Sequence, residues 1–299
     1  MKKRYVKSTV ATLAAVLVAI GMTACSASDK SNDASSAGTS SGEGEAPESV
    51  TVVIAGSTSV QPLSEMLAEA YMDDHPEVGI EVQGGGSGQG IKAVEEKIAD
   101  FGALSRELKS EEEVVAAEQF LIAKDGIAVV VNNATELSDI TVEQLKRIYT
   151  GEVANWSEVG GGDAKINVIT REEGSGTRSA FGELTGVLGK DENGEERDFT
   201  IDSAIVQNST GAVLQTVAAT PDSIGFVSLG SVDDSVKVLE VEGVKASKET
   251  VVSGEYKISR PFLYICGPNL GDGARSFAEF ILSGEGQAIV EDAGFIAAA

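Results

Sequence analysis

From residue 50 onward, short apolar runs alternate with stretches in which apolar residues recur every three or four positions. The run at 50–55 is followed by Leu63, Met66, Leu67, Ala70 and Tyr71 on one helical face, and then by a second run at 80–82. Strand, amphipathic helix and strand in succession predict a parallel sheet covered by helices. The pattern continues with Ile91, Val94 and Ile98 at helical spacing, a short strand at 101–103, an acidic helix from Ser110 and a long apolar run at 120–131. That run is long enough to cross between two lobes. A second set follows: helix at 141–149, strand at 166–170, helices at 177–187 and 210–219, and a strand at 224–227. The tail returns to strand at 261–265 and ends in helices carrying Phe277, Phe280, Ile281, Ile289 and Val290. The expectation is an α/β chain in two lobes, 49–132 plus 252–299 and 133–251, with crossings near 132 and 252 that form a hinge.

The first residues depart from this pattern. Lys2, Lys3, Arg4 and Lys7 precede an apolar stretch at 10–22 that is shorter than the ~20 residues of a membrane-spanning helix, so residues 1–24 read as a signal peptide. The sequence Met22-Thr23-Ala24-Cys25 resembles the lipobox of bacterial lipoproteins, which implies a lipid on Cys25 and a membrane anchor there. Met22 stands where that box usually has Leu, and the alternative is an ordinary signal peptide followed by an incidental cysteine. Residues 26–48 are mostly Ser, Gly, Ala, Asp and Glu, with no aromatic residue and Thr39 as the one β-branched residue, a composition that cannot bury enough surface to fold; they read as a tether. Cys266 lies beside the apolar run 261–265 and reads as a small buried hydrophobe, so no disulfide is expected. The net charge of −24 disfavours nucleic acid and anionic membrane surfaces as partners.

Three strand-to-helix turns share one composition: Gly56-Ser57-Thr58-Ser59-Val60, the Gly84–Gly90 turn with Ser87 and Gln89 among its glycines, and Arg171-Glu172-Glu173-Gly174-Ser175-Gly176-Thr177. The first turn of a helix has unpaired N–H groups and the positive end of the helix dipole, so small hydroxyl residues and glycines there make an anion cradle. Ser and Thr are also ordinary N-caps, which is the simpler reading of any single turn. Three such turns in one chain, one headed by an arginine, favour the cradle. None matches a dinucleotide fingerprint or a P-loop.

The segments AGSTSVQPL, GGGSGQGIKAV, DFGALSREL and TREEGSGTRSAF, in this order and spacing, resemble the phosphate-binding proteins of Pst-type phosphate ABC transporters over roughly residues 50–297. The resemblance implies a type II periplasmic-binding-protein-like fold, with a mixed, mostly parallel sheet flanked by helices in each lobe and the ligand cleft between lobes. It implies that Thr58, Ser59, Ser87, Arg171, Ser175, Gly176 and Thr177 hold inorganic phosphate, and that the partners are the permease subunits of an ABC importer. In some relatives the DFGA motif leads to an aspartate that accepts a proton from phosphate; here Ser105 takes that place. Glu173, beside the arginine, could accept that proton and so reject sulfate, or could only orient Arg171. Arg106 and Arg178 read as structural.

The lone histidine, His75, precedes Pro76 and reads as a helix-stop residue; without a second histidine or clustered cysteines no metal site is arguable, and no cofactor is expected. Ser87 and Ser175 lie outside any Gly-x-Ser-x-Gly motif, so a hydrolase is not indicated. Trp156 reads as a packing residue near a lobe edge. The chain is expected to be a monomeric binding protein and not an enzyme. Rival readings are another tetrahedral oxyanion, a surface phosphatase, and a sensory lipoprotein that has lost affinity.

Overall fold

A computed structural model describes residues 50–298. Thirteen strands, eight α-helices and two short 3-10 helices, Trp156–Val159 and Leu229–Ser231, are formed among them. In chain order they are β1 Val50–Gly56, α1 Gln61–Asp74, β2 Val78–Gly84, α2 Ser87–Glu95, β3 Phe101–Leu104, β4 Glu118–Asn132, β5 Asp139–Ile140, α3 Val142–Tyr149, β6 Asn167–Arg171 and α4 Gly176–Thr185. Then come β7 Leu188–Lys190, β8 Glu196–Asp198, β9 Ile205–Gln207, α5 Thr210–Ala219, β10 Ser223–Ser228, β11 Val236–Val238, β12 Glu240–Val241, α6 Lys248–Val252, β13 Ser259–Cys266, α7 Asp272–Leu282 and α8 Gly284–Asp292.

Nine of the strands form one mixed sheet in the order β2-β1-β3-β13-β4-β10-β6-β9, with β11 also on β4, while β5 pairs with β12 and β7 with β8 in two small separate sheets. On one side β1, β2 and β3 are parallel; on the other β10, β6 and β9 are parallel. Strand β4 joins the two halves. From Glu118 to Gly126 it pairs with β13, and from Ile127 to Val131 with β10.

The main core of each lobe lies on one side of this change of partner, each with a smaller apolar cluster beside it. In the first lobe Val52, Ile54, Leu63, Leu67 and Phe101 pack with Phe262, Tyr264, Phe277, Ile281 and Phe295. In the second, Ile127, Val129, Leu145, Tyr149, Trp156, Phe181 and Phe226 pack together and extend to Tyr256 and Ile258. The crossings therefore fall at Gly126–Ile127 and at Ile258–Ser259, and not near 132 and 252. Buried apolar residues stand on both sides of each crossing, so burial alone does not locate the change of neighbour.

Two local expectations also differ. No helix forms from Ser110; residues 110–115 are turns. Glu112 is drawn into the turn by Arg106 at 2.6 and 2.7 Å and by the Lys109 N–H at 2.9 Å; Val114 is left exposed, and only Val115 and Ala116 pack partly against the first lobe. Helix α2 ends at Glu95, leaving Ile98 beyond it and exposed. Cys25 and the 1–48 segment lie outside the described residues. No helix among the described residues is long and apolar enough to cross a membrane.

Candidate functional site

The carboxyl ends of β1, β2 and β3 in the first lobe, and of β6 and β9 in the second, all meet the helix starts at the cleft. Ligand sites of open parallel sheets lie in such crevices. Between β1 and α1 the chain turns tightly at Gly56, whose φ is +141° and where a Cβ would stand 2.2 Å from the Ala103 carbonyl oxygen; only glycine fits. The Ser57 hydroxyl accepts from the Ser59 N–H at 3.2 Å and donates to the Ser105 hydroxyl at 2.8 Å, tying this turn to the end of β3. The Ser105 N–H in turn donates to the Ser87 hydroxyl at the start of α2, at 3.1 Å.

On the second lobe Arg171 is the last residue of β6, and Ser175 caps α4 by accepting from the Arg178 N–H at 3.3 Å. The N–H groups of Gly176 and Thr177 open that helix and have no partner within it. A Cβ on Gly176 would lie 2.2 Å from the Ser87 hydroxyl and 2.8 Å from that of Ser105, so glycine here lets the two lobes come together. Ser59, Ser87, Ser105, Arg171, Ser175 and Thr177 are all buried; Thr58 is half-buried.

Direct hydrogen bonds join the lobes. The Ser59 hydroxyl meets that of Thr177 at 2.8 Å and that of Thr210 at 2.9 Å. Arg171 Nη2 donates to Thr58 Oγ1 at 3.1 Å, the Thr210 N–H donates to the same atom at 3.2 Å, and the Gly88 N–H donates to the Gly174 carbonyl at 3.0 Å. At the rim, Lys109 of the first lobe pairs with Glu196 of the β7–β8 hairpin.

Arg171 is the charged centre of this arrangement and is 2% exposed. Its Nε and Nη2 bond both oxygens of Glu172, each at 2.8 Å, a planar two-point contact that fixes the guanidinium. The partner expected at Glu173 is therefore Glu172. Glu172 donates its N–H to the Gln207 carbonyl as β6 ends, and the turn that follows carries Glu173 outward; Glu173 is exposed and has no hydrogen-bond partner among the described residues. Arg106 and Arg178 are held by Glu112 and Asp198, and Arg178 also supports the Arg171 carbonyl at 2.7 Å.

Sequence reasoning did not place Ser57, Glu172 or Thr210 in the site. Thr210 opens α5 and touches Thr58, Ser59 and Arg171 Nη1. Its signal was present: Ser209-Thr210-Gly211 repeats the composition of the other turns. His75 lies at the far end of α1, stacked on Tyr71 and 3.5 Å from Glu77. No group of three His, Cys, Asp or Glu among the described residues is placed to hold a metal.

Hydroxyls, helix starts and one buried arginine converging from two lobes define a solute-binding protein for a small oxyanion. The family follows from comparison with known proteins. The PBP superfamily domain matches residues 41–285. The chain is 33% identical over 292 residues to the phosphate-binding protein PstS of Bacillus subtilis, covering 94% of this chain and 92% of that one. It is 33% identical over 251 residues to PstS of Borreliella burgdorferi, covering 82% and 89%. A structure from Clostridium perfringens, described as a phosphate ABC transporter substrate-binding protein with bound phosphate, superposes with a TM-score of 0.79 at 40% identity, covering 83% of this chain and all of that one. The chain belongs to the PBP superfamily and, within it, to the PstS family of phosphate-binding proteins.

Proposed function

We propose that this protein captures inorganic phosphate outside the cytoplasm, between its two lobes, and delivers it to the membrane permease of an ABC-type importer. The names of its relatives support the ligand and the transporter. The observation that carries the reading is the buried Arg171, oriented by Glu172 and surrounded by hydroxyls from both lobes at the starts of α1, α2, α4 and α5. In this reading Thr58, Ser59, Ser87, Ser105, Arg171, Ser175, Gly176 and Thr177 hold the anion, joined by Thr210. An anion that touches both lobes favours the closed form by the difference in its affinity for the two forms.

The acidity of the chain does not oppose anion binding. Exposed charges beyond about 8 Å are screened at physiological salt, while the cleft feels its own donors. The protein acts as a monomer anchored at the outer face of the membrane by a lipid on Cys25. A clickable fatty-acid label that enters the wild type and is lost in Cys25→Ala tests the anchor. Isothermal titration of refolded, ligand-stripped protein tests the function: one-to-one phosphate binding is expected, and no phosphate heat from a folded sample would refute it.

A further inference from the structure

Helix α4 carries the second lobe's share of the cleft out to the rim. It opens at the anion site with Gly176 and Thr177, and the Arg178 side chain donates to Asp198 of β8 at 2.7 Å and to the Arg171 carbonyl at 2.7 Å. One turn later, a Cβ on Gly182 would stand 2.9 Å from that of Leu188, so the base of the β7–β8 hairpin packs directly on the helix. The hairpin holds its own shape. Its strands pair from Leu188 opposite Asp198 to Lys190 opposite Glu196, and at its tip the Asp191 carboxylate accepts the Asn193 and Glu195 N–H groups at 2.8 and 3.0 Å. Arg171, α4 and the hairpin are therefore joined as one body.

The first lobe is built to the same end. Arg106 follows Ser105 out of the site, is buried, and holds both the Glu112 carboxylate and the Glu107 carbonyl. Glu112 also receives the Lys109 N–H, which fixes the backbone at Lys109 relative to the first lobe's share of the site. From there the Lys109 ammonium crosses the rim to Glu196. Partial burial raises the Glu183 carboxyl of α4 above its ordinary value, and Lys109 is the charge that most opposes the rise. One cation of the first lobe thus faces two carboxylates of the second.

Resting on the phosphate reading of the cleft, we infer that Lys109 and the β7–β8 hairpin form a clasp across the rim that slows release of the bound anion. Lys109 is a positioning residue: it holds the lobes together and leaves the anion to the groups beneath. Both ends of the clasp are tied to the site, so the Lys109–Glu196 pair forms only when the lobes meet. A contact confined to the closed form raises the closed population and leaves the encounter of the anion with the open form as it was. Its effect therefore falls on dissociation. The two side chains are 31% and 54% exposed, so salt screens the pair, and its contribution is that of an exposed ion pair, about two- to fivefold.

The test follows release of radiolabelled phosphate from the purified protein into excess unlabelled phosphate, with isothermal titration for Kd, in the wild type, Lys109→Met, Glu196→Gln and the double variant. Each is measured at about 20 mM and about 0.5 M salt, where screening is weak and then nearly complete. At low salt Lys109→Met is expected to release phosphate about two- to fivefold faster, with the association rate obtained from koff and Kd unchanged. Glu196→Gln should shift release in the same direction and add nothing once Lys109 is gone, because a pair is lost only once. At high salt all four proteins should converge, and without phosphate they should melt together. Wild-type release rates in both single variants, additive losses, an acceleration that persists at high salt, or a slower association in place of a faster release would each overturn the clasp. Those outcomes leave phosphate binding intact; a folded wild type that binds no phosphate instead removes the function beneath the inference, and the inference with it.

Discussion

Replacing Arg171 by lysine keeps the charge and removes the planar fork. Of the five guanidinium hydrogens, the Nε hydrogen and one on Nη2 go to Glu172, the other on Nη2 goes to Thr58, and Nη1 makes one long contact with Thr210 at 3.4 Å. The Nη1 edge is thus the part of the side chain with donors to spare for an anion, and Glu172 holds it in place. A lysine ammonium can reach the same region as a point charge, but it cannot meet Glu172 at two points and address the anion at once. The loss amounts to about one charge-assisted hydrogen bond, about 1.5–3 kcal/mol, or about 10- to 150-fold in Kd. Isothermal titration with phosphate at pH 8 measures it, and thermal melting without phosphate shows that the variant is folded. A folded Arg171→Lys protein whose phosphate Kd stays within about threefold of the wild type would refute the assignment of Arg171 as the charged centre.

Gly176→Ala places a methyl group against the Ser87 and Ser105 hydroxyls of the other lobe, so closure should be obstructed; phosphate binding is expected to weaken at least about tenfold, since even ~1.4 kcal/mol of obstruction is tenfold, with little change in melting temperature. Acid stability should depend on the pairs flanking the site. Burial works to raise Glu112 and Asp198, but hydrogen bonds from Arg106 and the Lys109 N–H to the first, and from Thr200 and Arg178 to the second, hold both below their ordinary values. A depressed folded-state value contributes stability that is present above the ordinary carboxylate range and lost as pH falls through the folded value. Urea midpoints should therefore drop as pH is lowered from 5 toward 3, and Glu112→Gln should make that drop shallower; an unchanged slope in the variant would contradict the pairing.

Much of the fold was legible because most elements bury one face and so carry a clear period. Helix α5 was expected at its observed bounds, and the run at 120–131 falls within β4. The crossings were not read because β4 carries buried apolar residues on either side of Lys124-Asp125-Gly126, and burial alone does not say which core a residue joins. The acidic segment after Ser110 had helix-forming residues but no apolar stripe, and a local carboxylate contact took precedence over propensity. At the site, three of the turns could be read from composition. The fourth, at Thr210, was overlooked because β9 before it is three residues long and partly exposed, and gives no apolar run to announce a strand. Choosing between Glu172 and Glu173 required the backbone: the two are identical in type, and only the bond from the Glu172 N–H to Gln207 decides which faces the arginine.

The path of β4 and β13 also sets an order of assembly. The second lobe draws its main core from one continuous stretch, Ile127 to Ile258, and can close over comparatively short loops. The first lobe needs Val52 and Leu63 from the beginning of the body and Phe262, Phe277, Val290 and Phe295 from its end. Its sheet also lacks a link between β3 and β4 until β13 arrives. Contacts so far apart in sequence are slow to form. A chain that emerges N-terminus first therefore exposes its first lobe unfinished until the last turn of helix has appeared, and the anion site, which needs both lobes, is the last thing to be built.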